Sequence, residues 1–240
     1  MMKTAIIFGG TGGIGSALAV RLVASGWKVA VAARNRERLE AFAAQHDVLT
    51  IEADATKSDQ VDAAFVRVVA EFGGIGAAVN CVGSILLKPA HLTGDHEWSD
   101  VMRQNLDSAF YVLRAATRNM RKDGGSIALC SSAAAQVGLA NHEAIAAAKG
   151  GIISLVRSAA ATYAASRIRI NAVAPGLVET PMAARITGNP ASLKVSLAMH
   201  ALGRIGAPED VASALEWLIA PENNWVTGQI LGVDGGLTLK

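Results

Sequence analysis

Short apolar runs alternate along the chain with longer stretches in which apolar residues recur every three or four positions. Residues 3–8, 28–33, 48–53, 77–82, 126–130, 169–173 and 229–233 are such runs, and they predict seven strands. Helical spacing fills the intervals. Over 13–25 it sets Ile14, Ala17, Leu18, Leu22 and Ser25 on one face, with Gly26 placed to end the helix. Asn35 can cap a second helix. Others are predicted over 58–72, 96–121, 142–165 and 208–219, the last with Pro208 near its first turn. Strand–helix alternation of this kind implies right-handed crossovers and an α/β class. The expected fold is a Rossmann-type, doubly wound parallel sheet of about seven strands in a single domain over 1–240. Only 179–206 breaks the pattern, with prolines, glycines and no single period; a substrate lid and a pair of short helices both fit it.

Chemistry first appears between the first strand and the first helix, at GGTGGIG, Gly9 to Gly15. A glycine-rich turn here lets backbone N–H groups at a helix start approach a pyrophosphate, so a dinucleotide is the expected ligand. The second strand ends in Ala32-Ala33-Arg34-Asn35. No carboxylate stands there to take the ribose hydroxyls of NAD, whereas the Arg34 guanidinium suits the 2′-phosphate of NADP. NADP(H) is therefore preferred over NAD(H), against the plain alternative that Arg34 is a solvated strand-end residue beside Arg36 and Arg38.

Composition narrows the function classes. The chain is 51% hydrophobic but only 5% aromatic, which suits a sheet covered on both faces by close-packed helices. A net charge of +2 gives no reason to expect nucleic acid or an anionic membrane as partner. No Cys/His cluster has metal-ligand spacing, and no metal is expected. The opening apolar run is too short and glycine-rich for a signal peptide or a span, so a cytoplasmic protein is expected. Cys81 and Cys130, each at a strand end, read as reduced buried thiols.

In these motifs and their order the chain resembles the short-chain dehydrogenase/reductase family, from Lys3 to Gly236. The glycine turn resembles the family's TGxxxGxG, with Phe8 where Thr is usual. Asp54-Ala55 resembles the site that meets the adenine amino group, and Asn80-Cys81-Val82-Gly83 the NNAG turn. Pro175-Gly176, with Val178 and Thr180 behind it, resembles the segment flanking the nicotinamide. Val226-Thr227-Gly228-Gln229 and Val233-Asp234-Gly235-Gly236 are similar to the C-terminal signature. The resemblance implies cofactor contacts from Gly9, Thr11, Gly12, Gly13, Ile14, Gly15, Arg34, Asn35, Asp54, Ala55, Asn80, Val82, Gly83, Lys149, Pro175, Gly176, Val178 and Thr180. It also implies a homotetramer or homodimer and a small-molecule substrate, with Asn105 holding a water in a proton relay.

The catalytic pattern departs from the family at one point. Ser132 and Lys149 stand where the resemblance puts the substrate-holding serine and the lysine that grips the ribose. Four residues before Lys149, where the proton-donating tyrosine belongs, is Ile145. Isoleucine transfers no proton. Seven residues before Lys149 is His142, the position of the tyrosine in the enoyl reductase branch of the superfamily. A seven-residue offset lies on the same helix face, and imidazole donates protons near neutral pH. His142 as acid, and His142 as a mere helix-start residue, both remain open. Correspondingly, the expected function is NADP(H)-dependent reduction of a small carbonyl or conjugated enone with a non-standard proton donor. The alternative is a cofactor-binding relative with little or no turnover. Gln136, Val137, Met182, Ile186, Leu193, Leu197 and Met199 are candidates for an apolar substrate pocket.

Overall fold

The computed structural model describes residues 2–239. In chain order the elements are β1 (Thr4–Phe8), α1 (Gly13–Ala24), β2 (Lys28–Ala33), α2 (Arg36–Ala43), β3 (Leu49–Glu52), α3 (Ser58–Phe72) and β4 (Ala77–Asn80). There follow α4 (Asp95–Met102), α5 (Ser108–Met120), β5 (Gly125–Cys130), α6 (Glu143–Tyr163), β6 (Ile168–Pro175), α7 (Ala184–Thr187), α8 (Pro190–Met199), α9 (Pro208–Ile219) and β7 (Ile230–Val233). The seven strands form one parallel sheet in the order β3-β2-β1-β4-β5-β6-β7. The chain starts in the middle, winds outward to β3, then returns past β1 to wind the other way. This reversal opens a crevice at the carboxyl ends of β1 and β4, where such sheets bind ligands.

Alternate side chains of β1 serve the two faces. Ile6 and Phe8 pack with Phe65, Val68, Val112, Ala116 and Val156 from α3, α5 and α6; Phe8 and Phe65 stack with centroids 5.9 Å apart. Ala5 and Ile7 pack on the other face with Leu18 and Leu22 of α1 and Val211 and Leu215 of α9. The small residues of the strands let helices lie close on both sides. Residues 143–166 are by length and composition long and apolar enough to cross a bilayer. They form instead a core helix whose Ile152, Val156 and Ala159 are buried against the sheet.

Gly26, at φ +76°, ends α1 as expected: its N–H donates to the Val23 carbonyl and that of Trp27 to the Leu22 carbonyl. The predicted single helix over 96–121 is interrupted. A π turn spans Arg103–Asp107 between α4 and α5, and it carries Asn105 inward to complete burial. Over 179–206 the chain forms the pair of short helices, α7 and α8, and a parallel bridge between Val178 and Gly206 ties the base of the excursion together.

Arg169 on β6 is buried, and its guanidinium donates to the carbonyls of Leu218 (2.8 Å), Val226 (3.2 Å) and Ala220 (3.0 Å). It thereby joins the end of α9 to the segment entering β7. Arg169→Met removes the donors and is expected to cost about 2–4 kcal/mol in urea unfolding, since buried acceptors lose charge-assisted bonds. A loss below about 0.5 kcal/mol would contradict this bracing role.

Candidate functional site

Beyond β1 the chain turns sharply at Gly9, whose φ of +75° suits a residue without Cβ, and the Gly9 N–H donates to the Ala32 carbonyl at 2.9 Å. A Cβ on Gly15 would stand 2.3 Å from the Gly9 carbonyl oxygen, so only glycine lets α1 start this close to the strand end. Gly12 caps α1 without any side-chain hydrogen bond, and no carboxylate occupies the first turn. The leading N–H groups of α1 are thus left to an anion.

A cleft of about 320 Å³ opens over this turn. Of the sequence-predicted residues, Gly9, Thr11, Gly12, Gly13, Ile14, Gly15, Arg34, Asn35, Asp54, Ala55, Val82, Gly83 and Thr180 line it. At the β2 end, the Asn35 side chain accepts from the Arg38 N–H at 2.8 Å and starts α2, which brings Arg38 into the cleft beside Arg34. Asp54 accepts from the Thr56 N–H and hydroxyl at 2.9 and 2.8 Å. Burial opposes its ionisation, but these bonds, with Arg34 and Lys57 nearby, hold the carboxyl below its ordinary value.

Other predicted residues stand behind the cleft rather than in it. Asn80 is buried, accepting from the Val82 N–H and donating to the Ser108 hydroxyl, so it shapes the turn after β4. Asn105 accepts from the Ser84 N–H (3.1 Å) and donates to the Ser84 hydroxyl and the Val101 carbonyl. The buried Lys149 donates from Nζ to the Cys130 carbonyl at 2.8 Å, and burial lowers its pKa. Both lie directly under Gly83, where a Cβ would come within 2.8 Å of Asn105 Oδ1 and 3.3 Å of Lys149 Nζ. Val178 is buried in the bridge to Gly206. The thiols of Cys81 and Cys130 are free, 3.9 Å apart.

A second cavity, about 170 Å³, holds the remaining candidates: Ser132, His142, Pro175 and Gly176 line it together with Ile145. The Ser132 hydroxyl oxygen accepts from the Ala134 N–H at 3.2 Å, leaving its own hydrogen for another acceptor. His142 Nδ1 is 2.8 Å from the Ala140 carbonyl oxygen, which can only accept, so Nδ1 carries hydrogen and Nε2 is the atom left for other chemistry. Ile145 is buried against Leu86, Val101 and Leu106. Of the apolar candidates, Ile186 and Met199 reach this cavity, Met182 lines the first cleft, and Leu193 and Leu197 line a separate groove. Gln136 and Val137 line none of these three.

Several lining residues escape a linear reading. Arg38 follows only from knowing that Asn35 is the cap, since α2 then starts a turn toward the strand end. His200, Ile85, Leu87 and Leu237 line the second cavity from segments with no clear period.

Comparison with known proteins matches residues 9–238 to a family model described as enoyl-(acyl carrier protein) reductase. The chain is similar to cis-4-hydroxycyclohexanecarboxylate dehydrogenase of Sinomonas cyclohexanicum, 38% identical over 98% of this chain and 96% of that one. It is also similar to 3-oxoacyl-[acyl-carrier-protein] reductase of Thermotoga maritima, 32% identical over 99% and 98%. Among solved structures, a short-chain type dehydrogenase/reductase from Mycobacterium ulcerans superposes with a TM-score of 0.93 at 31% identity, over 99% of this chain and 90% of that one. ElxO with NADP bound superposes with the same TM-score at 26% identity, over the whole of both chains. These relatives are oxidoreductases of a family that uses nicotinamide cofactors, and the seven-stranded parallel sheet agrees with the superposed structures. The chain belongs to the short-chain dehydrogenase/reductase family.

Proposed function

We propose that this protein is an NADP(H)-dependent oxidoreductase for a small uncharged carbonyl or conjugated enone, with His142 handling the proton in place of the tyrosine. The observation that carries the reading is the shared cavity: Ser132, His142 and Ile145 line one pocket, separate from the glycine-turn cleft. The cleft fits the dinucleotide on its own geometry, since a Cβ at Gly15 would fill the cradle and the start of α1 has no competing cap. A nicotinamide bound there would supply or accept hydride. Arg34 and Arg38 would hold a 2′-phosphate, and Asp54 and Ala55 the adenine end. Lys149 and Asn105 support Gly83, and two Lys149 N–H groups remain beyond the bond to Cys130 for a ribose hydroxyl.

In the reducing direction the Ser132 hydroxyl would donate to the substrate oxygen while protonated His142 passes a proton from Nε2. For alcohol oxidation the neutral ring, its Nδ1–H held by the Ala140 carbonyl, would take the proton at Nε2. No Lys, Arg, Asp or Glu lines the cavity among the described residues, which favours an uncharged substrate. Exposed Phe110 on α5, Trp217 on α9 and Trp225 favour self-association as a homodimer or homotetramer. A second reading, a cofactor-binding relative without turnover, draws on the buried isoleucine at 145.

One prediction tests the cofactor preference, and a second separates turnover from cofactor binding alone. Arg34→Ala should weaken NADPH binding by about 10- to 100-fold and leave NADH within about threefold, as loss of a charge-assisted phosphate contact does. Equal weakening of both cofactors would remove the case for NADP. With NADPH and a panel of small ketones and enones, reduced-nicotinamide absorbance should fall with time. Lys149→Ala should abolish that decay, and His142→Ala should lower kcat about 10²- to 10⁴-fold. Full activity in His142→Ala would discard it as donor. No oxidation by the wild type, with activity appearing in Ile145→Tyr, would favour the non-catalytic reading.

A further inference from the structure

At the end of α8 the imidazole of His200 is only 3% exposed, and both its nitrogens are engaged. The Leu177 N–H donates to Nε2 at 3.2 Å, and Nδ1 lies 2.6 Å from the Ser196 carbonyl oxygen. A backbone N–H can only donate and a carbonyl can only accept. The two contacts therefore demand the same tautomer, hydrogen on Nδ1 and a bare Nε2, in a neutral ring. The seat is tight: a Cβ on Gly176 would stand 2.6 Å from Nε2. His200 thus ties α8 to the segment that leaves β6. That segment matters, because Gly176, Leu177, Ser196, Met199 and His200 all wall the cavity containing Ser132 and His142.

We propose that His200 is a positioning residue, a latch that holds the α7–α8 segment against Leu177 over the apolar cavity only while its imidazole is neutral. A second proton on Nε2 would set one N–H against another and break the bond to Leu177 in a site with little solvent access. The latched contact occupies the Nε2 lone pair and release frees it for a proton, so acid favours release. The other titratable groups that share its surroundings are His142 across the apolar cavity, and Arg204, Asp210 and Asp234 behind the ring. Asp210 is gripped by Arg204 at 2.6 and 3.0 Å, and this pairing, first of all, holds its carboxyl low. Asp234 is opposed by burial, but bonds from Thr238 and Gly236 hold its carboxyl low too. Those three keep their charges through the range in which imidazoles titrate. The kinetic consequence rests on the reading of this cavity as the substrate site; the latch itself does not.

The test compares wild type with His200→Gln, whose amide can accept from Leu177 and donate to Ser196 without titrating, and with His200→Phe, which can do neither. Amide exchange at Leu177, corrected for intrinsic rate, reads the latch without turnover. The wild-type protection factor should fall about tenfold between pH 8 and pH 5.5, as a single linked proton allows. His200→Gln should hold protection within about twofold over the same range, and His200→Phe should lose it at both ends. Where turnover is measurable, the wild-type substrate KM should rise toward acid pH more steeply than that of His200→Gln, which keeps His142. Protection in the wild type that ignores pH, or an equal pH slope in His200→Gln, overturns the proposal. Should His200→Phe fail to fold, the comparison of wild type with His200→Gln still decides.

Discussion

Close packing of backbone on backbone at the glycine turn is the constraint on which the site depends. Gly15 rests on the Gly9 carbonyl where no Cβ fits, and Gly9 in turn is bonded to Ala32 at the end of β2. This holds the start of α1 against the sheet, with its leading N–H groups facing the crevice where the strand order reverses. Thr180 closes the opposite side, its Cγ2 only 2.7 Å from where a Cβ on Gly13 would be. The segment after β6 is thereby keyed to the same turn.

From that fixed edge the site divides in two. The glycine-turn cleft carries charge at its far end, with Arg34, Arg38 and Asp54. The second cavity carries no charged side chain among the described residues, only Ser132, Ser196 and two imidazoles amid apolar walls. Ile145 belongs to those walls, packed on Val101 and Leu106. An isoleucine here offers neither the proton nor the polarity of a phenol, so the proposed function puts that burden on a polar group of the same pocket. In the function proposed above that group is His142, whose Nδ1 is committed to the Ala140 carbonyl and whose Nε2 is left over.

The sheet and the cofactor turn were legible because their signals are local. A parallel strand buried on both faces writes itself as an unbroken apolar run, and a tight turn needs glycine whatever its surroundings. Other features depend on contacts that sequence spacing does not carry. Asn105 is drawn inward by a π turn that no periodicity reveals, and it braces Ser84. Lys149 turns toward the Cys130 carbonyl, a partner supplied by β5. The short helices over 179–206 were one of two readings open in the sequence; Asn189 caps α8 locally, while the Val178–Gly206 bridge and the His200 bonds fix where the pair lies. Gln136 and Val137 looked apt for a pocket, yet the chain after Ser132 turns them away from both cavities.

The central claim is that the uncapped start of α1 and the paired guanidiniums of Arg34 and Arg38 bind a phosphorylated nicotinamide dinucleotide. Isothermal titration calorimetry of the purified protein tests this most directly. The account predicts saturable heat with one NADPH per chain and weaker binding of NADH. Absence of heat with both nucleotides would contradict it.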